Sequence, residues 1–235
     1  MQPELQTTRD YTTPASTGQA VSAQHRVLRN TYLLLALSMV PTGIGALLGV
    51  NINFGFMRAS PIISSLLFLA VVYGWFYAIE KNRDSGLGVG LMLGLTLFLG
   101  VFLGPLLQRA IGLENGGQLV ALAAGGTAAV FFTMAGIATT SKRDFSFLGN
   151  FLLIGTIVAM LAVVANIFVA SPVLHLTICA VFVLISSAMI LWEVSRIVQG
   201  GETNYVSATL TLYISIYNLF TSLLNLLMAF SGNRD

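Results

Sequence analysis

Charge is what this sequence has least of. Only 9% of its 235 residues are Asp, Glu, Lys or Arg, where a soluble domain carries about 25%. A water-solvated globular domain is thereby excluded. The net charge of +2 is too small to recruit nucleic acid, and none is expected as a partner. Cysteine is scarcer still. The single Cys179 sits in an apolar run, so no intrachain disulfide can form and no thiolate metal set is expected. Of the two histidines, His175 has neither a carboxylate nor a set of thiols in its sequence neighbourhood to make a metal centre. The first thirty residues hold no apolar core of a cleavable leader. There is no G-x-S-x-G, no H-E-x-x-H, no phosphate-cradling glycine loop and no 20–50-residue repeat. Neither an enzyme nor a cofactor is expected.

What is abundant is apolar sequence: 56% of residues, with a mean hydropathy of +0.84. The fold class this implies is an all-α polytopic membrane protein. Seven runs are each near the twenty apolar residues that a spanning helix needs. They are 31–50, 61–79, 87–107, 118–138, 147–170, 172–198 and 206–230. Residues 1–30 are polar and read as a disordered tail ahead of a seven-helix domain over 31–235. Pro41 and Gly43 predict a kink in the first span. Ser60-Pro61 and Ser171-Pro172 predict helix starts, with Ser as N-cap and Pro in the first turn. Gly90 and Gly94, Gly100 and Gly104, and the series Ala121, Gly125, Ala129 are small residues at four-residue spacing, which lets helix backbones approach.

Loop charge sets the orientation. Arg9, Arg26, Arg29, Lys81, Arg83, Lys142, Arg143 and Arg196 fall on one side, and Arg58, Arg109 and Arg234 on the other. Eight against three predicts a cytoplasmic N-terminus, and seven spans then put the C-terminus outside. Tyr32, Tyr77, Trp192 and Tyr205 fall at cytoplasmic helix ends, as an aromatic belt would.

The last span carries the strongest pattern. Thr211, Ser215, Asn218, Ser222 and Asn225 recur at steps of four and three. At about 100° per residue they lie within an arc of roughly 80° and run for roughly 21 Å. A polar stripe facing lipid is costly, so this one must face other helices or a wet cavity. Two readings stay open: interhelical hydrogen-bonded glue, with Asn218 as a packing node, or the wall of a conduction path. Glu193 is the one acidic residue inside a predicted span and a functional candidate by default. Its alternative is a snorkelling carboxylate paired with Arg196 at i+3. The expected helix ends place Glu193 and Ser215 within about a helix turn in depth. Ser141-Lys-Arg-Asp144 reads as a solvated loop opening the fifth span.

Three segments together resemble the Bax inhibitor (transmembrane Bax-inhibitor-motif) family. They are Leu28-Arg-Asn-Thr-Tyr-Leu-Leu-Leu, Thr140-Ser-Lys-Arg-Asp-Phe-Ser-Phe-Leu-Gly149, and the stretch from Leu191-Trp-Glu-Val-Ser-Arg-Ile-Val through Gly200-Gly-Glu-Thr-Asn-Tyr to Leu212-Tyr-Ile-Ser-Ile-Tyr-Asn-Leu-Phe220. The resemblance covers residues 25–230 and is strongest to the YccA-type bacterial branch. It implies six helices around a central seventh, and a bacterial inner-membrane location among membrane lipids. It also implies a regulatory role, as partner and substrate of an FtsH-type membrane protease. Calcium-leak members of the family carry two acidic residues that latch a proton-dependent path. The positions are Glu193 and Ser215 here, so one carboxylate is kept and one is lost. A proton-shared pair needs both, which puts a calcium or proton leak in doubt for this chain.

Overall fold

The structure, a computed structural model, describes residues 15–141, 143 and 145–231. These residues form nine helices: α1 (Ala15–Val50), α2 (Gly55–Ala59), α3 (Pro61–Lys81), α4 (Gly86–Phe102), α5 (Gly104–Ile111), α6 (Gly116–Thr140), α7 (Leu148–Val169), α8 (Pro172–Val198) and α9 (Tyr205–Ser231). Seven stretches are long and apolar enough to cross a membrane, with α4 and α5 together making one of them, Gly86–Ile111. The expected seven-span, all-helical membrane protein is what the chain forms.

The first span departs from expectation at its start. α1 begins at Ala15, so residues 15–30 of the expected tail are helical, and the rest of that tail lies outside the described residues. Gln, Ala, Arg and Leu in this stretch are good helix formers. Extending an existing helix also avoids the cost of a new nucleus. α1 runs as one helix through Pro41.

The third span is divided where the sequence reading has one helix. Pro105 has no N–H to continue the ladder, and the chain restarts with Gly104 and Pro105 at the head of α5. Leu103 closes α4, its N–H lying within reach of the carbonyls of both Leu99 (3.1 Å) and Gly100 (3.0 Å). From α5 the Gln108 side-chain amide donates to the carbonyls of Val50 (2.8 Å) and Ile52 (2.9 Å). These are carbonyls at and just beyond the α1 C-terminus, where the helix itself offers no donor. Of the two expected N-caps, Ser171 Oγ accepts from Leu174 N at 3.3 Å. Ser60 makes no such bond; its own N–H instead closes α2 on the Phe56 carbonyl at 3.2 Å.

Glycine decides the tightest crossing. α1 lies on α4 and α5 with almost no side chain between the backbones. A Cβ at Gly100 would fall on the Thr42 carbonyl, and one at Gly104 on the Gly49 carbonyl. Gly94 makes room for the Trp75 ring, whose Nε1 donates to the Leu91 carbonyl at 2.9 Å. The other small-residue pattern has a different role. Ala121, Gly125 and Ala129 are exposed, and a Cβ at Gly125 or Gly90 would meet nothing within 4 Å. That face of α6 turns outward, and α6 packs instead through Leu119, Ala123, Thr127 and Ala135.

α9 holds the bundle together. It touches α1, α3, α4, α5, α6 and α8. α7 does not reach it; α7 packs on α8 and α3. The expectation of six helices around a seventh is therefore corrected to five spans around α9, with α7 as an outrigger. Leu152 and Ala159 are the buried residues of α7, so this helix has too little inward-facing surface for a more central place.

Candidate functional site

The polar stripe of α9 faces protein, as its chemistry requires. Ser215 and Ser222 are buried, and Thr211, Asn218 and Asn225 are half-buried. Its hydrogen bonds, however, stay within its own helix. Thr211 Oγ1 donates to the Ser207 carbonyl (3.2 Å), Ser215 Oγ to that of Thr211 (2.8 Å) and Asn225 Nδ2 to that of Thr221 (2.7 Å). Such back-bonding satisfies a hydroxyl without recruiting a neighbour. The Asn218 side chain makes no hydrogen bond among the described residues. Asn218→Leu is thus expected to leave heat resistance in detergent unchanged, within about 0.5 kcal/mol. A clear loss would show that Asn218 is a packing node after all.

The bonds between helices come from residues the stripe does not contain. Thr42 Oγ1 on α1 lies 2.7 Å from the Ser38 carbonyl and shares a hydrogen bond of 2.8 Å with the Tyr213 hydroxyl, which also lies 3.4 Å from the Thr96 carbonyl. Tyr217 OH donates to the Leu99 carbonyl at 3.3 Å. Thr209 Oγ1 lies 3.3 Å from the Thr31 carbonyl. On a helical wheel Tyr213 and Tyr217 lie on the side of α9 away from the stripe, at roughly 120–160° from its centre. A cavity of about 970 Å³ opens on that same face, between α1 and α6. This cleft therefore runs along the tyrosine face and not along the stripe.

Glu193 and Arg196 are brought together, one turn apart on α8. The Glu193 side chain is 1% exposed, and its Oε2 takes Arg196 Nη1 at 3.1 Å. The second Arg196 nitrogen reaches Glu202 Oε2 at 3.1 Å in the α8–α9 turn. The guanidinium also lies 4.5 Å over the Trp192 ring, a placement worth about 0.5–1 kcal/mol where partly exposed. Glu202 Oε1 accepts the backbone N–H groups of Thr203 (3.0 Å) and Asn204 (2.8 Å). Asn204 in turn caps α9, accepting from Val206 N at 2.9 Å and Ser207 N at 3.2 Å, and donates to Asp84 Oδ1 at 2.7 Å. Ser207 Oγ donates to Glu80 Oε2 at 3.0 Å. This network pins the α8–α9 turn to the α3–α4 turn. Gly200, at φ 79°, supplies the left-handed residue that the turn needs.

No hydrogen bond joins Glu193 to Ser215, because the Ser215 hydroxyl is already spent on Thr211. Glu193 Oε1 and Thr31 Oγ1 are the two buried side-chain oxygens without a partner among the described residues. His175 has Cys179 Sγ at 3.8 Å as its contact, and no group of three metal-binding side chains occurs among the described residues. Lys142 and Asp144 of the Ser141–Asp144 loop lie outside the described residues. Two signals were available for what was missed. The tyrosines at 213 and 217 are four apart on the face opposite the stripe, and the acid of Glu202 sits six residues beyond Arg196.

Comparison with known proteins bears on the whole chain. A family described as inhibitor of apoptosis-promoting Bax1 matches residues 24–232. A protein of Neisseria meningitidis serogroup A is 46% identical over 212 residues, covering 89% of this chain and 93% of its own. The protein named Modulator of FtsH protease YccA, from Escherichia coli K12, is 43% identical over 203 residues, covering 86% and 90%. The protein named Inner membrane protein YccA, from Escherichia coli O6:H1, matches to the same extent. The match begins inside α1 and runs through α9, and it takes in the Glu193–Arg196–Glu202 turn: this chain belongs to the Bax inhibitor family.

Proposed function

We propose that this protein is an inner-membrane regulator that binds an FtsH-type membrane protease, is itself a substrate of it, and moderates its activity. The observation that carries this reading is the 43% identity to the modulator YccA across most of both chains. The site supports it too. Glu193, Arg196 and Glu202 fasten one end of the bundle, and the Ser215 hydroxyl is turned into its own helix, as suits a scaffold rather than a catalyst. Loop charge orients the arginine-rich end, with the start of α1, toward the cytoplasm. The polar segment ahead of Ala15 is then the protease's handle on that side. The test is a capture of the FtsH-type protease from membranes, with degradation rates for the full chain and for a variant lacking residues 1–14. The expected result is equal capture and a longer half-life for the shortened chain. Equal half-lives would remove the handle, and failure of the full chain to capture the protease would remove the reading.

One observation favours a second reading, a calcium or proton leak: the unpartnered Oε1 of the buried Glu193. A lone carboxylate is a poor calcium site, since calcium takes six to eight oxygens, several of them charged. The purified chain in dye-loaded liposomes is therefore expected to pass little calcium. Robust entry that Glu193→Gln abolishes would promote the leak over the regulator.

A further inference from the structure

We infer that the cleft between α1 and α6 is a binding site for one phospholipid with a net negative headgroup, seated from the arginine-rich end of the bundle. The backbones of α1 and α6 stand apart, bridged by an edge-to-face contact of the Tyr32 and Phe131 rings at 6.1 Å, although both helices pack on α9. The space between them is the cavity of about 970 Å³, floored by Tyr213, Ile216, Tyr217 and Phe220. Along α1 it runs from Tyr32 to Ala46, roughly 21 Å and more than half of a hydrocarbon core about 30 Å thick.

The chemistry of the lining selects the occupant. The hydroxyls of its threonines and of Tyr213 and Tyr217 are already satisfied. Thr127 Oγ1 donates to the Ala123 carbonyl at 2.7 Å, Thr139 Oγ1 to that of Ala135 at 3.0 Å, and Thr42 and Tyr213 bond each other. Water gains nothing in such a space, because a buried water needs two to four polar partners. The cleft is open along one side, where Gly43, Ala128 and Phe132 are exposed, so an apolar occupant gains dispersion contacts with its walls. Acyl chains fit both the volume and the dryness.

Charge at the mouth selects the headgroup. The α1 stripe that lines the cleft continues one turn below Tyr32 to Arg29, which is exposed and in no ion pair among the described residues. Four residues beyond Thr139, the last cleft residue of α6, comes Arg143, also exposed and also free of an ion pair among the described residues. The same turn holds both flanks. Gln24 of α1 lies against Gly200, and Gln199 Nε2 donates to the Arg143 carbonyl at 3.4 Å. Two unpaired guanidiniums at the edge of a dry, chain-shaped cleft are the complement of a phosphate carrying two acyl tails.

The full chain, reconstituted in phosphatidylcholine nanodiscs with a minor share of phosphatidylglycerol, tests this by mass spectrometry of the lipid that stays bound on release. Retained phosphatidylglycerol is expected to fall about fivefold for Arg29→Ala or Arg143→Ala, the worth of one basic side chain at an anionic membrane surface. The double variant Gly43→Leu, Gly136→Leu fills the cleft at two positions where a Cβ meets nothing within 4 Å. It is expected to stay folded and to lose the bound lipid. Inorganic phosphate or glycerol phosphate at millimolar concentration is expected to displace nothing. Displacement by either would make the site one for free phosphate and overturn the inference. Equal lipid retention in the parent and the filled variant would overturn it as well. So would a filled variant that keeps its lipid but no longer captures the protease, because a partner's helix would then be the occupant. Should the filled variant aggregate, the two arginine variants decide alone.

Discussion

Gly104→Val is expected to prevent the bundle from forming. At this position the atoms nearest a new Cβ are the carbonyl oxygen, carbonyl carbon and Cα of Gly49, all within 3.0 Å. All three are backbone, so no rotamer change in a neighbour can relieve the clash. α1 would have to lift off α4 and α5, and with it go the Gln108 bonds to the α1 C-terminus and the Tyr213–Thr42 bond. Overpacking commonly costs about 1–3 kcal/mol. A rigid backbone clash spread along a helix crossing belongs to the class above about 4 kcal/mol. Gly90→Ala on the same helix pair is the matched control, because its Cβ meets nothing within 4 Å. Removing that glycine is expected to be neutral or to stabilise by up to about 1 kcal/mol. Monodispersity and heat resistance in detergent read both. A Gly104→Val protein as stable as the parent would show that α1 is not seated where the structure has it.

Arg196→Leu should cause the second-largest loss. It strips Glu193, with a side chain 1% exposed, of its one hydrogen-bonding partner. Breaking a buried pair from one side typically costs about 3–5 kcal/mol, because it strands a charge. The lower end applies here, since the Arg196 side chain keeps 30% of its exposure. The double variant Glu193→Gln, Arg196→Leu no longer strands that charge and is expected to recover a large part of the loss. What it does not recover measures the Glu202 contact and the stacking on Trp192. Melting curves of the parent, both single variants and the double variant form the cycle. If Arg196→Leu melts with the parent, the pair is not what holds the α8–α9 turn.

The span pattern was legible because the bilayer imposes length and apolarity on each helix separately, so α3, α7, α8 and α9 lie within two residues of their expected limits. Breaks and partners were less legible. Pro105 signals a discontinuity, but hydropathy runs straight through it, and the sequence reading has one helix where α4 and α5 stand. Four-residue glycine spacing marks a capacity for close approach and not a partner. Gly100 and Gly104 use that capacity, with Gly45 and Gly49 of α1 on the other side, while Gly90 and Gly125 face outward. Of the α9 stripe, Ser215 and Ser222 are buried and the other three members half-buried. Periodicity cannot say, however, whether a Ser or Thr hydroxyl will turn to a neighbour or back to its own helix. It turned back, and Tyr213 and Tyr217 took up the interhelical bonds instead. The Glu193–Arg196 pair was visible as an i, i+3 spacing. Glu202 was not, because its reach depends on the left-handed Gly200 turn that folds it back.

The place of α9 has a bearing on how the protein is made. Ribosomal synthesis delivers α1 first and α9 last, yet α9 is the element against which α1, α3, α4, α5, α6 and α8 all pack. Before it enters the membrane, α1 can already seat on α4 and α5, and α8 on α6 and α7, but Thr42 has no Tyr213 to bind. The nascent protein therefore waits in the bilayer as a part-assembled bundle that stays open until α9 closes it in a late step. Any chain interrupted before Tyr205 would be left in that open state, with the side chains meant for α9 turned toward lipid and available to quality control.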